Sequence, residues 1–500
     1  MALADQDMKA AIAVTRFGLG AKPGEIAAAR QDPQGFLKSQ IRRTGADQPV
    51  GQSVSTRERM AEYRDFRRER REERVQKVSD VRPPAPAAPM DGANPLMADG
   101  APAKRQAADP VKQIGNVLRK DISADFAART ELAATTDAGF RERWAIFWAN
   151  HFTVSASKAI TGAVVGPFEE EAIRPHVFGR FEDLLIAAET HPAMLTYLDQ
   201  IQSIGPDSQA ARFQANRGVG RFGGQVQPAA LRTPGLNENL AREIMELHTV
   251  GVSGGYTQAD VTEFARAMTG LSIGGERDGQ YGVAVFRDQA HEPGPRTVMG
   301  VRYDQSGKGQ AGAILADLSA KPQTARFICG KIARHFVADE PPPALVARLQ
   351  DAWMGSYGDL AQVAAALISA PEAWDPRPAK FKTPYEFVVS AYRAAGAEPQ
   401  GFQQIGPILT SLGQKPFSAP SPKGWPEDAQ SWAAPDAVVK RMQFAQNFST
   451  ATVRDRDPSA LATDALGERL SPDTAKAISR AESRPEGFAL LLMSPEFQRR

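Results

Sequence analysis

Cysteine is nearly absent: Cys329 is the only one in 500 residues. No intrachain disulfide can form, and no all-cysteine metal site exists. An excess of one charge is missing too, since 60 Lys and Arg stand against 58 Asp and Glu, a net +2. That balance argues against a dedicated nucleic-acid binder. No long apolar run appears. Phe488 to Met493, near the C-terminus, is far shorter than the roughly 20 residues of a spanning helix. Near the N-terminus, Asp5 and Asp7 precede the short apolar stretch Ala10 to Val14. A secretory signal has positive charge first and a longer apolar centre. The expectation is therefore a cytoplasmic protein by default, a reading that an upstream start site would change.

Familiar catalytic spellings are also lacking. There is no HExxH and no GxSxG. Gly307-Lys308 lacks the earlier glycine of a phosphate-binding loop, and Gly218 to Gly223 fits GxGxxG by spelling but follows no apolar strand. Cys329, among Phe327, Ile328 and Ile332, reads as core rather than nucleophile.

What is present is a globular composition, 42% hydrophobic and 24% charged, in a chain long enough for a substantial core. Ala-, Leu-, Glu- and Arg-rich periods separated by Gly and Pro predict a mainly α, multi-helix globular fold. Pro322, Pro341 to Pro343, Pro371, Pro384 and Pro435 mark helix starts or breaks. One short β-hairpin is expected between Gln280 and Tyr303, with Tyr281–Phe286 and Thr297–Val301 flanking a polar loop.

The domain expected is a single helical unit made of residues 1–56 and 111–500, carrying an insertion. Residues 57–78 hold nine basic and six acidic residues up to Lys77, spaced three and four apart. That predicts a charged, solvated helix. Residues 79–110, rich in Pro, Ala, Gly and Asp, read as a disordered linker.

Four stretches bear chemistry. In Phe140 to Phe152, Phe140, Trp144, Phe147, Trp148 and His151 share one helix face. His151 is then either a core histidine bonded to a carbonyl or the wall of a pocket, with Asn150 beside it. In His191 to Asp199, Thr190 is the expected cap and Pro192 suits the first turn. Asp199 falls near the C-terminal end, where a carboxylate opposes the helix dipole and wants a cation.

The third stretch, Asn237 to Gly255, is the most informative. On an unbroken helix His248 lies within the apolar stripe of Leu240, Ala241, Ile244 and Met245. Glu243 and Glu246 lie opposite with Asn239 and Arg242, so His248 and the two glutamates cannot ligate one ion. Glu238, Arg242 and Glu246 are equally spaced for an ion-pair ladder. Thr257 with Asp260 resembles a capping box opening the next helix. Fourth, Asp288, His291 and Glu292 lie in the expected hairpin loop, as metal ligands, as acid and base, or as a plain polar turn.

Together these stretches resemble the bacterial domain-of-unknown-function 1800 family. The matching pieces are Arg16 to Gly20, Trp148 to Phe152, His191 to Asp199, Asn237 to Gly270 and His291 to Pro295. His335 to Asp339, Lys380 to Lys382 with Pro384, Gly424 to Pro426 and Ser494 to Phe497 complete the set. The resemblance implies a large helical protein with no established biochemical role. It also implies a protein partner from a neighbouring exported family, and work at the cell envelope. Ala149 stands where many members have a second histidine, which weakens a His-x-His metal site. Glu292 stands where many have Asp, which keeps a carboxylate.

Two functions follow as expectations. One is a helical protein acting with a protein partner, its polar residues forming buried hydrogen-bond networks. The other is a metal-assisted hydrolase. Its cleft would be lined by His151, Asp199, Glu243, Glu246 and His291, with a divalent metal on Glu243, Glu246, His151 and His291.

Overall fold

A computed structural model describes residues 5–51, 54–79, 110–219, 235–453 and 455–500. Proline punctuation sets many helix starts. Pro322, Pro343, Pro384 and Pro435 open the helices Pro322–Phe336, Pro343–Gly355, Pro384–Ala395 and Pro435–Thr452. The missing N–H costs nothing there, because the first helical positions have no intrahelical acceptor. Pro371 opens only the 3₁₀ turn Pro371–Trp374. The fold is mainly α, as the composition implied, with 24 α-helices among the described residues and two small sheets.

The core centres on the helix Gly139–His151, whose aromatic stripe is buried throughout. Trp144 stacks on Phe178 at 6.0 Å and meets Phe336 at 5.8 Å, while its Nε1 donates to the Val177 carbonyl at 2.7 Å. This stripe brings the helix Pro322–Phe336 against Gly139–His151 and so fixes the position of His335.

The β expectation needs correction. Tyr281–Phe286 does not pair with Thr297–Val301. Ala284–Phe286 pairs back onto Leu271–Ile273, and Arg296–Val298 pairs with Val301–Tyr303. The reason is local. Met299 and Gly300 both have positive φ, 47° and 79°, which matches the two-residue turn that joins tight hairpins. Arg296–Val298 thus finds its partner within the same few residues.

The charged helix forms over Thr56–Ser79, but its first turns are not solvated. Thr56, Arg59 and Met60 are buried. Arg59 lies 2.6 Å from Asp121 and 3.0 Å from Asp125, both on the helix Pro110–Thr135. Two carboxylates and an apolar niche outweigh the helix's polar composition at that end. Most of the linker expected over residues 79–110 lies outside the described residues.

Among the described residues, three π turns interrupt helices, at Ala13–Phe17, Glu169–Ile173 and Ile244–His248. The last corrects the unbroken helix expected after Asn237: an α segment Asn239–Glu243 passes directly into the π turn. A π turn takes one residue more than an α turn. His248 is therefore rotated away from the position that a constant 3.6-residue period gives it.

Candidate functional site

The π turn carries His248 to Glu189. Its Nδ1 and Glu189 Oε1 are 2.7 Å apart, and both side chains are fully buried. The pair meets off the hydrogen-bonding direction, so neither group is satisfied as a hydrogen bond. The backbone carbonyl of His248 faces His151 Nε2 at 3.3 Å, and Lys331 Nζ lies 2.8 Å from His151 Nδ1. An ammonium only donates and a carbonyl only accepts, so His151 is a neutral ring with hydrogen on Nε2. Burial, then the charges of Lys331 and His248, hold its pKa well below the ordinary histidine value. Burial also lowers Lys331 to about 8.

The other sequence-predicted residues go elsewhere. Asp199, left-handed at φ 58°, meets Lys158 Nζ at 2.7 Å, the cation its position called for. His191, not Thr190, caps the helix Pro192–Tyr197, its Nδ1 accepting from Ala193 N at 3.1 Å. Glu243 is half-buried and its carboxyl is pushed up, first by burial and then by Glu246 against the pull of His248. Glu246 is partly exposed, and Arg242 pairs with Glu238 at 3.0 Å. His291 Nδ1 faces the Thr269 carbonyl at 2.9 Å with its ring against Phe286. Glu292 is buried and accepts from Asp207 N at 2.8 Å. Among the described residues, no three His, Cys, Asp or Glu side chains are placed to hold one metal ion.

A cavity of about 90 Å³ opens instead beside His335, and none of His151, Asp199, Glu243, Glu246 or His291 lines it. His335 stands in the last turn of Pro322–Phe336, its Nδ1 2.6 Å from Glu427 Oε1. A carboxylate only accepts, so Nδ1 carries the hydrogen and Nε2 the lone pair. That Nε2 is buried and has no partner. Burial lowers the His335 pKa, with Arg143 and Arg500 adding to it and Glu427 opposing. Burial would raise Glu427, but His335, Lys380 and Lys331 outweigh it and hold the carboxyl at about 2. At neutral pH the pair is thus an uncharged imidazole held by a carboxylate.

The walls are built to keep this pair still. The loop Gly424–Trp425–Pro426 precedes Glu427 and is clasped by Asn150. Asn150 Oδ1 accepts from Trp425 N at 2.8 Å, and its Nδ2 donates to Trp425 O at 3.1 Å. Gly424 has φ 84°, and a Cβ there would fall 2.4 Å from the Asn150 carbonyl, so only glycine fits. Lys380 Nζ ties the Glu427 carbonyl to Asp339 Oδ1, each at 2.5 Å. Glu386 is spent on Arg143, Arg500 and the Thr383 N–H. Phe126, Tyr385, Phe417 and Trp425 supply an aromatic lining.

Residue patterns missed this site. Its segments His335–Asp339 and Gly424–Pro426 were visible as family-like pieces, but His335 and Glu427 are 92 positions apart, and no local period links them.

Residues 12–499 match the family described as "Protein of unknown function (DUF1800)", and the chain belongs to that family. No curated protein and no solved structure matches it. No helix among the described residues is long and apolar enough to cross a membrane.

Proposed function

We propose that the protein is a hydrolase acting on a small molecule bound beside His335. The observation that carries this is the pair itself: His335 and Glu427 both line the cavity, His335 Nδ1 is held 2.6 Å from Glu427, and Nε2 is left without a partner. In this reading Nε2 takes a proton from water as the water attacks. Glu427 fixes the ring's tautomer and stabilises the imidazolium that forms, the division of labour seen in histidine–carboxylate pairs generally. An aromatic-lined cavity with a few convergent polar groups is the usual form of a small-molecule site. The reading favours the enzyme over a purely helical partner, because here the buried histidine–carboxylate pair lines a cavity with an aromatic wall rather than sealed core.

The test is a panel of chromogenic esters and amides given to wild type, His335→Asn and Glu427→Gln. A general base contributes about 10²–10⁴-fold, so His335→Asn should lose at least about 10²-fold while keeping its fold. Equal rates in wild type and His335→Asn would overturn the assignment.

A further inference from the structure

The same cavity is lined by a second ion pair. Arg129, on the helix Pro110–Thr135, is paired with Glu169, and both residues line the cavity with His335 and Glu427. Its guanidinium lies over three rings: Tyr385 at 5.1 Å, Phe417 at 5.6 Å and Phe126 at 5.8 Å. Glu169 Oε2 lies 3.0 Å from Arg129 Nε, but out of line for a hydrogen bond, and Nε is left unsatisfied. No hydrogen bond from the terminal nitrogens occurs among the described residues. The side chain is only 12% exposed, so bulk water does not readily stand in for an acceptor. Three other cations around this site are engaged more fully. Arg143 and Arg500 are on Glu386, and Lys380 is on Asp339 and the Glu427 carbonyl. Lys415, which also lines the cavity, is exposed and makes no ion pair among the described residues.

A planar guanidinium surrounded by aromatic rings keeps two parallel N–H bonds on its terminal nitrogens, the fork that a carboxylate fills. Charge selects between oxyanions. Glu169, Glu386 and Glu427 all line the cavity, so a phosphate dianion meets more repulsion there than a singly charged carboxylate. Size limits the rest. At about 10–15 Å³ per water on this measure, 90 Å³ has room for only a handful of non-hydrogen atoms.

We infer that Arg129 is a specificity residue that binds the carboxylate of a small organic acid. Its hydrocarbon part rests on Phe126, Phe417, Tyr385 and Trp425, and its other end reaches His335. This rests on the reading of the cavity as a substrate site, and it names the substrate class: esters or amides that carry a free carboxylate.

Binding can be tested without turnover. Propionate, butyrate and benzoate are titrated into the full-length protein and followed by calorimetry and by tryptophan fluorescence, since Trp425 lines the cavity. Benzamide and inorganic phosphate are the controls. At least one carboxylate should bind, with benzamide and phosphate at least tenfold weaker. Arg129→Met should weaken the carboxylate at least tenfold. Arg129→Lys, which keeps the charge and loses the fork, should fall between. His335→Asn should lose hydrolysis yet still bind the best carboxylate at least tenfold more tightly than benzamide, so loss of the base and loss of the anion site are separable. No binding by any of the three carboxylates overturns the inference. So does benzamide or phosphate binding as tightly as the best carboxylate. Should Arg129→Met fail to fold, Arg129→Lys and the wild-type comparison with benzamide decide the question.

Discussion

Two histidine–glutamate pairs, His248–Glu189 and His335–Glu427, are of nearly equal length, and they differ in what surrounds them. His248 and Glu189 meet at 2.7 Å with no exposure at all, packed against Phe152 and His151. His335 and Glu427 meet at 2.6 Å, but beside a cavity and among Lys331, Lys380, Arg143 and Arg500. A buried pair costs desolvation whatever its use. The second pair lines a cavity and the first does not line it. In the proposed reading the same two side chains are an internal fastening in one place and a reactive group in the other, and access makes the difference.

The largest effect that tests this contrast is on stability. Removing one member of a sealed pair leaves its partner buried and uncompensated, so Glu189→Ala should cost about 3–5 kcal/mol in urea unfolding. Glu427→Ala opens onto the cavity, where water can replace the carboxylate, and should cost about 1–3 kcal/mol. Equal losses would erase the distinction.

Next comes pH. The His335 ring is held below the ordinary 6.5, first by burial. Its neutral form is therefore favoured in the folded protein. Its contribution to stability is present above the unfolded pKa and is lost as pH falls through the folded one. The same sign holds for Glu427, whose contribution is present above about 4.5 and lost toward about 2. NMR titration of the His335 ring should give a midpoint under 6.5. In Glu427→Gln the midpoint should drop further, because the carboxylate is what opposes burial. A midpoint above 6.5 in the wild type would remove the neutral base from the proposal.

The smallest effect concerns the carboxylates first singled out by pattern. Glu243→Gln/Glu246→Gln should change stability by about 0.5 kcal/mol or less, as substitutions near a surface usually do, with no difference on adding divalent ions. A melting temperature that rises with an added ion only in the wild type would bring those residues back as a binding site.

Much of the fold was legible because its signals are local. Prolines at helix starts and the aromatic stripe from Phe140 read directly. So did the Thr257–Asp260 capping box, where Thr257 N donates to Asp260 Oδ2 at 2.7 Å. The hairpins were misread because pairing depended on a turn at Met299-Gly300 rather than on which runs were apolar. The site was the least legible part. The sequence left His151 open between a core histidine and a pocket wall; it is buried with Nε2 facing the His248 carbonyl, and its companion Lys331, like Arg129 and Glu427 of the cavity, comes from a distant segment that only packing brings together. His248 was expected on the apolar face with Leu240, Ala241, Ile244 and Met245, and all five are buried; what the sequence did not reveal was the π turn, across which a 3.6-residue period does not hold.

That π turn at Ile244–His248 also makes the segment sensitive to length and not only to composition. An α-helix loses one residue by rotating everything beyond it about 100°, yet a π turn that loses one can become an ordinary α turn. Deleting Leu247 would thus leave a more regular helix and a less functional core, with the imidazole of His248 turned off Glu189. A deletion of one residue near Gly279 would instead disturb the partly exposed Asp278–Arg287 pair and no fully buried one.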